Sequence, residues 1–124
     1  MNNHEVYIDK NGIMCVEHPE HAILTLRVVD ELRRRRLSMT PKKTPLLVIT
    51  HGVTSITDDV QKYISSAEHA TLTSAVAVVR DPRAGYFEYS AILLEIFKVI
   101  YRPRIEFKIF DDKTSALKWL ARYL

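Results

Sequence analysis

Two short apolar runs decide the fold of this chain. Residues 45–49 read Pro-Leu-Leu-Val-Ile, and residues 75–79 read Ala-Val-Ala-Val-Val. Continuous apolar runs of this length, bounded by polar residues, are typical of strands that are covered on both faces, as in parallel sheets. We therefore expect two central strands of a sheet that carries helices on both sides.

Strand and helix patterns alternate on either side of these runs. An Asn-Gly signal lies between the apolar runs 6–8 and 13–17 and predicts an N-terminal hairpin. Residues 105–110 alternate like a strand near an edge, and residues 69–74 resemble a polar connector. Helical spacing is found in four segments. Three of them span residues 21–37, 85–101 and 114–124. The other begins at Thr57 and has the inward residues Val60, Tyr63, Ile64 and Ala67. This order predicts an α/β fold with four helices and a mainly parallel sheet of four or five strands.

Length and composition limit the classes of protein. The 124 residues fit one domain, spanning residues 1–124, and 47% hydrophobic with 27% charged residues is ordinary for a globular chain. No apolar run approaches the ~18 residues of a membrane span. The N-terminus lacks the pattern of a signal peptide, so a cytoplasmic location is expected. The single cysteine, Cys15, excludes an internal disulfide framework.

Several segments together resemble a known family. The chain resembles the small bacterial STAS-like proteins, which have the anti-sigma-factor-antagonist fold, and their stand-alone relatives. The resemblance covers nearly the whole chain and implies a STAS-like fold that acts by binding other proteins. The matching pieces are Asn11-Gly12-Ile13, the helix ending near Leu37, residues 45–48, Gly52-Val53-Thr54-Ser55-Ile56-Thr57, residues 75–79, Phe110-Asp111-Asp112 and residues 116–120.

The resemblance singles out the turn before the second helix. Family members that regulate sigma factors by partner switching carry a phosphorylatable serine there. In this chain Thr57 falls on the acidic position of that motif and Asp58 on the serine, so we expect the phosphorylation switch to be lost. Asp58 and Asp59 also suit the positive end of a helix dipole. The turn residues Ser55, Thr57, Asp58 and Asp59 are the predicted site for a regulatory protein partner.

Polar residues also follow the ends of the two central strands, where sheets of this kind bind ligands. His51 follows the first strand, and Arg80 and Arg83 follow the second, so they are candidates for a crevice that holds an anion. The alternative is that these arginines pair with the aspartates of the turn. His51 has the chemistry of a general base, but no pattern of an activated nucleophile accompanies it.

The remaining motifs point away from catalysis. The three glycines form no phosphate-binding loop, and no nucleophile elbow is present. His18 and His21 flank Pro19, which predicts a turn rather than a helical face of metal ligands. We therefore expect no enzyme activity, no cofactor and no metal.

A basic cluster closes the first predicted helix. Four consecutive arginines on a helix spread around its axis at ~100° intervals, and no aromatic residues accompany them. We expect a solvated helix end and no nucleic-acid partner. The cluster consists of Arg33, Arg34, Arg35, Arg36, Lys42 and Lys43.

The helix over residues 86–101 is the most informative stretch. Its apolar surface is far wider than the stripe of roughly 100° that a helix needs in order to pack against a sheet. We expect part of it to form a homodimer interface. The candidate interface residues are Tyr86, Phe87, Tyr89, Leu93, Phe97 and Tyr101. Two alternatives stay open: a core helix covered within one chain, and the wall of a pocket for a small lipid-like ligand.

These patterns predict a non-catalytic STAS-like protein-interaction or regulatory domain. The alternative function is a small hydrophobic-ligand-binding protein that uses the aromatic helix over residues 86–101.

Overall fold

The computed structural model describes residues 4–52, 55–80 and 87–124, with side chains throughout these ranges except over residues 87–93. Numbered along the chain, the elements are β1 (Glu5–Ile8), β2 (Met14–His18), β3 (Ile23–Leu24), α1 (Leu26–Met39), β4 (Thr44–Thr50), β5 (Ser55–Ile56), α2 (Asp58–Ile64), α3 (Ala67–Leu72), β6 (Thr73–Arg80), α4 (Phe87–Tyr101), β7 (Glu106–Phe110) and α5 (Lys113–Leu120), followed by a 3₁₀ helix over Ala121–Tyr123.

Five strands form the main sheet in the order β1-β2-β4-β6-β7. β1 is antiparallel to β2, and every other neighbouring pair is parallel. At the centre Leu47 lies opposite Ala77 and Val48 opposite Val78. The predicted α/β fold, with its N-terminal hairpin and mainly parallel sheet, is confirmed. The described residues contain five α-helices rather than the predicted four.

α5 closes one face of the sheet. Leu47 and Ala77 point to this face and are fully buried against Ala116 and Leu120 of the helix. The alanines allow the backbones of helix and sheet to approach closely, so this layer is densely packed. Cys15 belongs to the same cluster, and burial raises the pKa of its thiol to about 11, which keeps it protonated.

The opposite face carries α1, α2 and α4. Leu32 of α1 and Phe97 of α4 join Leu46, Val76 and Phe107 of the sheet in a second core cluster. The rings of Phe97 and Phe107 meet edge to face, with centroids 5.3 Å apart. These contacts hold the helices on the sheet, but they leave open space beside the valines of β4 and β6.

The first helix begins later than its apolar spacing predicted. Ile23 and Leu24 form β3, which pairs in parallel with the two residues of β5. Thr25 then caps α1, because its Oγ1 accepts a hydrogen bond from the Val28 N–H at 3.3 Å. The prediction of helix from residue 21 was wrong, since pairing with a strand distant in the sequence fixes these residues as extended.

The segment between α2 and β6 also differs from the prediction. Residues 69–74 are not a polar connector, because they belong to α3 and to the start of β6. Ala67 is exposed at the first position of α3 rather than inward on α2. Ser66 caps α3 by accepting from the His69 N–H at 3.2 Å. Ser65 and Ser66 separate the two helices, since serine favours helix ends over helix interiors.

Two histidines are buried among the described residues. His18 is 4% exposed and His69 is 5% exposed. Burial, together with nearby His4, lowers the pKa of His18 to about 4. Burial, together with the charge of Arg36, lowers the pKa of His69 to about 4. The Nδ1 atoms of His4 and His18 lie 2.9 Å apart, so one of them accepts a hydrogen bond and is unprotonated there.

These pKa values predict that acid destabilises the fold. The unfolded chain protonates each histidine near pH 6.5, whereas the folded protein does so only near pH 4. The free energy of unfolding therefore falls as the pH drops from about 6.5 to about 4, by up to about 3 kcal/mol for each histidine. Urea unfolding between pH 7.5 and 4.5 measures this loss. His18→Gln is expected to reduce it, whereas His21→Asn at an exposed turn residue leaves it in place. A stability that is flat or rises over this range contradicts the assignment.

Candidate functional site

A cavity of about 480 Å³ lies between the sheet and helices α1, α2 and α4. Alternate residues of a strand share one face, so the strands supply a continuous row of side chains as its floor. The floor consists of Val16, Leu46, Val48, Val76, Val78, Phe107 and Ile109. Aliphatic and aromatic side chains of the helices form the roof, namely Val29, Leu32, Val60, Ile64, Leu94 and Phe97. The cavity is therefore apolar over most of its surface.

The cavity opens beside the turn that precedes α2. Among the described lining residues, those most exposed to solvent are Ser55 and Ile56 of β5 and Ile96 of α4. The opening therefore lies between this turn and α4. Ser55, predicted as part of a partner site, forms the rim of the cavity, and Asp58 and Asp59 are exposed on the adjoining first turn of α2.

Thr57 fixes the conformation of the turn. Its N–H donates to the Leu24 carbonyl at 3.1 Å, and its Oγ1 donates to the Asp59 carboxylate. Asp59 also accepts from the Val60 N–H at 2.9 Å. Asp58 and Asp59 thus lie at the positive end of α2, as the sequence predicted, where their charges are favourable. The turn presents two carboxylates to solvent.

A buried arginine lies at the other end of the cavity. Arg36 is 7% exposed and donates from Nη1 to the Thr73 hydroxyl at 2.7 Å and from Nη2 to the Thr44 hydroxyl at 3.0 Å. Nη2 also donates to the carbonyl of Leu72. These bonds tie α1 to the starts of β4 and β6. Burial lowers the pKa of Arg36 to about 10, so the guanidinium stays charged at neutral pH.

A hydrogen-bond chain continues from this arginine. The Thr73 hydroxyl accepts from Arg36 and lies within hydrogen-bond distance of Nε2 of His69, at 3.3 Å. The lowered pKa of His69, about 4, keeps its ring neutral at pH 7. The ring of Tyr63 packs edge to face on His69 at a centroid distance of 5.5 Å. The inner end is thus polar and ordered.

The buried position of Arg36 corrects the expectation of a wholly solvated helix end. The four arginines face in different directions: Arg34 lies near Glu31, Arg35 donates to the His4 carbonyl, and Arg33 and Arg36 line the cavity. The sequence held one signal for this. Arg36 continues the spacing of Val29 and Leu32 on the inward face of the helix.

The predicted anion crevice of His51, Arg80 and Arg83 stays a prediction. His51 does not line the cavity, and its Nε2 lies 2.7 Å from a carboxylate oxygen of Glu17. Arg80 does line the cavity, and its Nε donates to Asp111 at 2.8 Å rather than to an aspartate of the turn. Arg83 lies outside the described residues. The strand ends therefore place His51 and Arg80 near one another but give each its own carboxylate.

Two of the residues predicted to form an interface on α4 pack within their own chain. Phe97 is 7% exposed in the core, and Tyr101 packs on it with ring centroids 5.7 Å apart, so the structure places both against their own chain. Among the described side chains of α4, the large apolar ones that are exposed are Ile96, Val99 and Ile100. Tyr86 and the side chains of Phe87, Tyr89 and Leu93 lie outside the described residues.

Two further site types have no representative in the described ranges. Within residues 4–52, 55–80 and 87–124, no three His, Cys, Asp or Glu side chains converge to hold a metal ion. In the same part of the chain, no helix combines the length and the apolar character that crossing a membrane requires.

Comparison with known proteins agrees with this architecture. The chain is similar to the crystal structure of an uncharacterized protein from the DUF3478 family with a SpoIIAA-like fold, from Shewanella loihica PV-4, with a TM-score of 0.63 and 16% sequence identity over 97% of this chain and 95% of that one. At that identity the likeness shows the fold alone, which is the STAS-like fold that the sequence predicted. Among curated proteins none matches this sequence. The model of a domain of unknown function, DUF7793, matches residues 6–124, and the chain belongs to that family.

Proposed function

We propose that this chain is a non-catalytic STAS-like binding module that takes a small apolar ligand into its cavity. The observation that carries the proposal is the space of about 480 Å³ with an aliphatic floor under α1, α2 and α4. Small-molecule sites typically enclose roughly 300–1,000 Å³ and combine apolar walls with a few polar groups. The cavity has that size, and Arg36 and His69 provide polar groups at one end.

The energetics of packing support the same proposal. Protein interiors are packed as densely as organic crystals, and voids larger than a water molecule are few. Side chains such as Val48 and Val78 lose dispersion contacts where they border empty space, and water finds few hydrogen-bond partners along such walls. An apolar ligand restores these contacts, and each buried CH₂ contributes about 0.8 kcal/mol.

The turn at the rim is where we propose that a protein partner docks, in line with the STAS-like resemblance. Ser55 and Ile56 are exposed and border the cavity, and Asp58 and Asp59 add two carboxylates beside them. A partner bound to this surface contacts the rim through which a ligand enters the cavity. We therefore expect the affinity of the partner to depend on whether the cavity holds a ligand.

Filling the cavity tests the ligand proposal. Val48→Phe adds an aromatic ring to the floor, so we expect it to weaken binding of the neutral probe N-phenyl-1-naphthylamine by about tenfold or more, a loss of about 1.4 kcal/mol. Fluorescence titration of the purified chain measures this affinity. Met39→Phe adds the same ring at an exposed residue at the end of α1, away from the cavity lining, and serves as the control.

Hydrogen exchange on the same samples tests the link to the turn. Bound probe is expected to slow amide exchange over residues 55–59. A wild-type chain that does not bind the probe, or a Val48→Phe chain that binds it equally well, contradicts the ligand proposal. Unchanged exchange over residues 55–59 contradicts the coupling between cavity and turn.

We also propose that two copies associate through α4. Ile96, Val99 and Ile100 are 47%, 74% and 64% exposed, and their spacing places them on one side of the helix. Apolar surface of this kind marks interaction sites, and a twofold axis lets the same stripe cover itself.

A charge on this stripe is expected to separate the copies. Val99→Glu introduces a carboxylate that a dimer interface would bury without a partner, which is unfavourable. Light scattering at tens of micromolar should show a dimer for the wild type and a monomer for Val99→Glu. Met39→Glu, at an exposed apolar residue near the end of α1, should remain a dimer. A monomeric wild type under these conditions refutes the proposed assembly.

A further inference from the structure

The inner end of the cavity carries a charge that its protein neighbours leave uncompensated. Arg36 is almost wholly buried, and all three of its hydrogen bonds go to uncharged oxygens, those of Thr44, Leu72 and Thr73. Among the described residues no carboxylate forms an ion pair with it. Buried arginines are normally paired with an acid, because removing a charge from water costs free energy. This position therefore favours an anion from outside the chain.

The donor geometry of Arg36 narrows the kind of anion. A guanidinium has five N–H donors in a planar fork, and three hydrogen bonds use three of them. Two donors remain on a side chain that lines the cavity. Both hydrogens of Nη2 are used, so the Nε–H and the remaining Nη1–H point in different directions, and a carboxylate accepts from one of them. Its single negative charge matches the single charge of Arg36. A phosphate monoester carries about −1.5 to −2 charges at pH 7 and exceeds the single charge of Arg36.

Arg33 adds a second positive group to the same end. It lines the cavity beside Arg36, and its Nε is buried without a hydrogen-bond partner. Its contacts with Asp30 and Glu68 are both long, at 3.9 Å. The side chains of Asp30 and Glu68 reach solvent near Arg33, and neither forms an ion pair with Arg36.

The rest of the cavity has a different chemistry. The floor from Leu46 to Val48 on β4 and from Val76 to Val78 on β6 is apolar. β4 runs from the Arg36 partner Thr44 to Thr50 beside the rim, about 20 Å at ~3.3 Å per residue. A charged end and an apolar length of this size suit an amphipathic molecule that enters with its hydrocarbon part along the sheet.

We infer that the ligand is an apolar monocarboxylate, held with its carboxylate on Arg36 and its hydrocarbon chain along the valine floor of the cavity. The inference rests on the proposed function and specifies its ligand class. The same site accepts a straight-chain fatty acid or a ring-bearing acid of similar volume. The titrations below compare these two kinds of acid.

Competition titrations with the neutral fluorescent probe test the head group first. Dodecanoate, dodecanol and dodecyl phosphate share one hydrocarbon chain and differ only at the head. In the wild type at pH 7.5, we expect dodecanoate to bind about tenfold or more tightly than dodecanol, because the carboxylate forms a charge-assisted hydrogen bond with Arg36 and the alcohol does not. Dodecyl phosphate is expected to bind less tightly than dodecanoate. A 4-phenylbutanoate arm, compared with 4-phenylbutanol, shows whether the site takes ring-bearing acids as well.

Variants then assign the preference to one residue. Arg36→Met keeps the length of the side chain without its charge, so the dodecanoate-to-dodecanol ratio should fall close to one. Arg34→Met, on the exposed side of the same helix, should keep the wild-type ratio. Circular dichroism checks the fold of both variants. If Arg36→Met does not fold, the comparison of dodecanoate with dodecanol and dodecyl phosphate in the wild type still tests the preference for a carboxylate.

The outcomes separate this inference from the proposed function. Equal affinity for dodecanoate and dodecanol in the wild type overturns the carboxylate assignment and leaves the apolar cavity in place. Tighter binding of dodecyl phosphate than of dodecanoate also overturns it. An unchanged preference in a folded Arg36→Met chain removes Arg36 from the site. Failure of the neutral probe to bind refutes the proposed function, and this inference with it.

Discussion

The parallel pairing of β4 with β6 is the constraint on which the rest of this structure depends. Their register places Leu47 and Ala77 together on one face and Val48 and Val78 together on the other. On the first face, small alanines pack against Ala116 and Leu120 of α5, which are fully buried. On the second face, side chains of α1, α2 and α4 and the valines of the sheet line the cavity. The sheet thus carries a packed layer on one face and the cavity on the other.

The same pairing determines the chemistry of the cavity. Thr44 and Thr73 lie opposite each other at the starts of the two strands, and both hydroxyls accept from Arg36. The guanidinium is therefore fixed at one end of the valine floor, about 20 Å from the strand ends at ~3.3 Å per residue. The carboxyl ends, with Thr50 and the nearby turn, form the other end. The two ends differ because Arg36 has no acidic partner among the described residues, whereas Arg80 at the strand ends is paired with Asp111.

The sequence predicted the elements that local patterns determine, and it missed the features that depend on contacts between residues distant in the chain. The strands over residues 45–49 and 75–79 were predictable because continuous apolar runs require cover on both faces. β3 was not, since the pairing of Ile23 with Ser55 depends on the completed fold. The burial of Arg36 was missed for another reason. Its position continues the inward spacing of Val29 and Leu32, but a run of charged arginines is typical of a solvated helix end and outweighed that spacing.

Isotope-filtered nuclear Overhauser spectroscopy on the ¹³C-labelled chain with unlabelled dodecanoate locates the bound ligand. We expect contacts between the hydrocarbon chain of the ligand and the methyl groups of Val48 and Val78, which lie side by side on the cavity floor. Contacts confined to Val99 and Ile100 on the outside of α4, or none at all at saturating ligand, would contradict this placement.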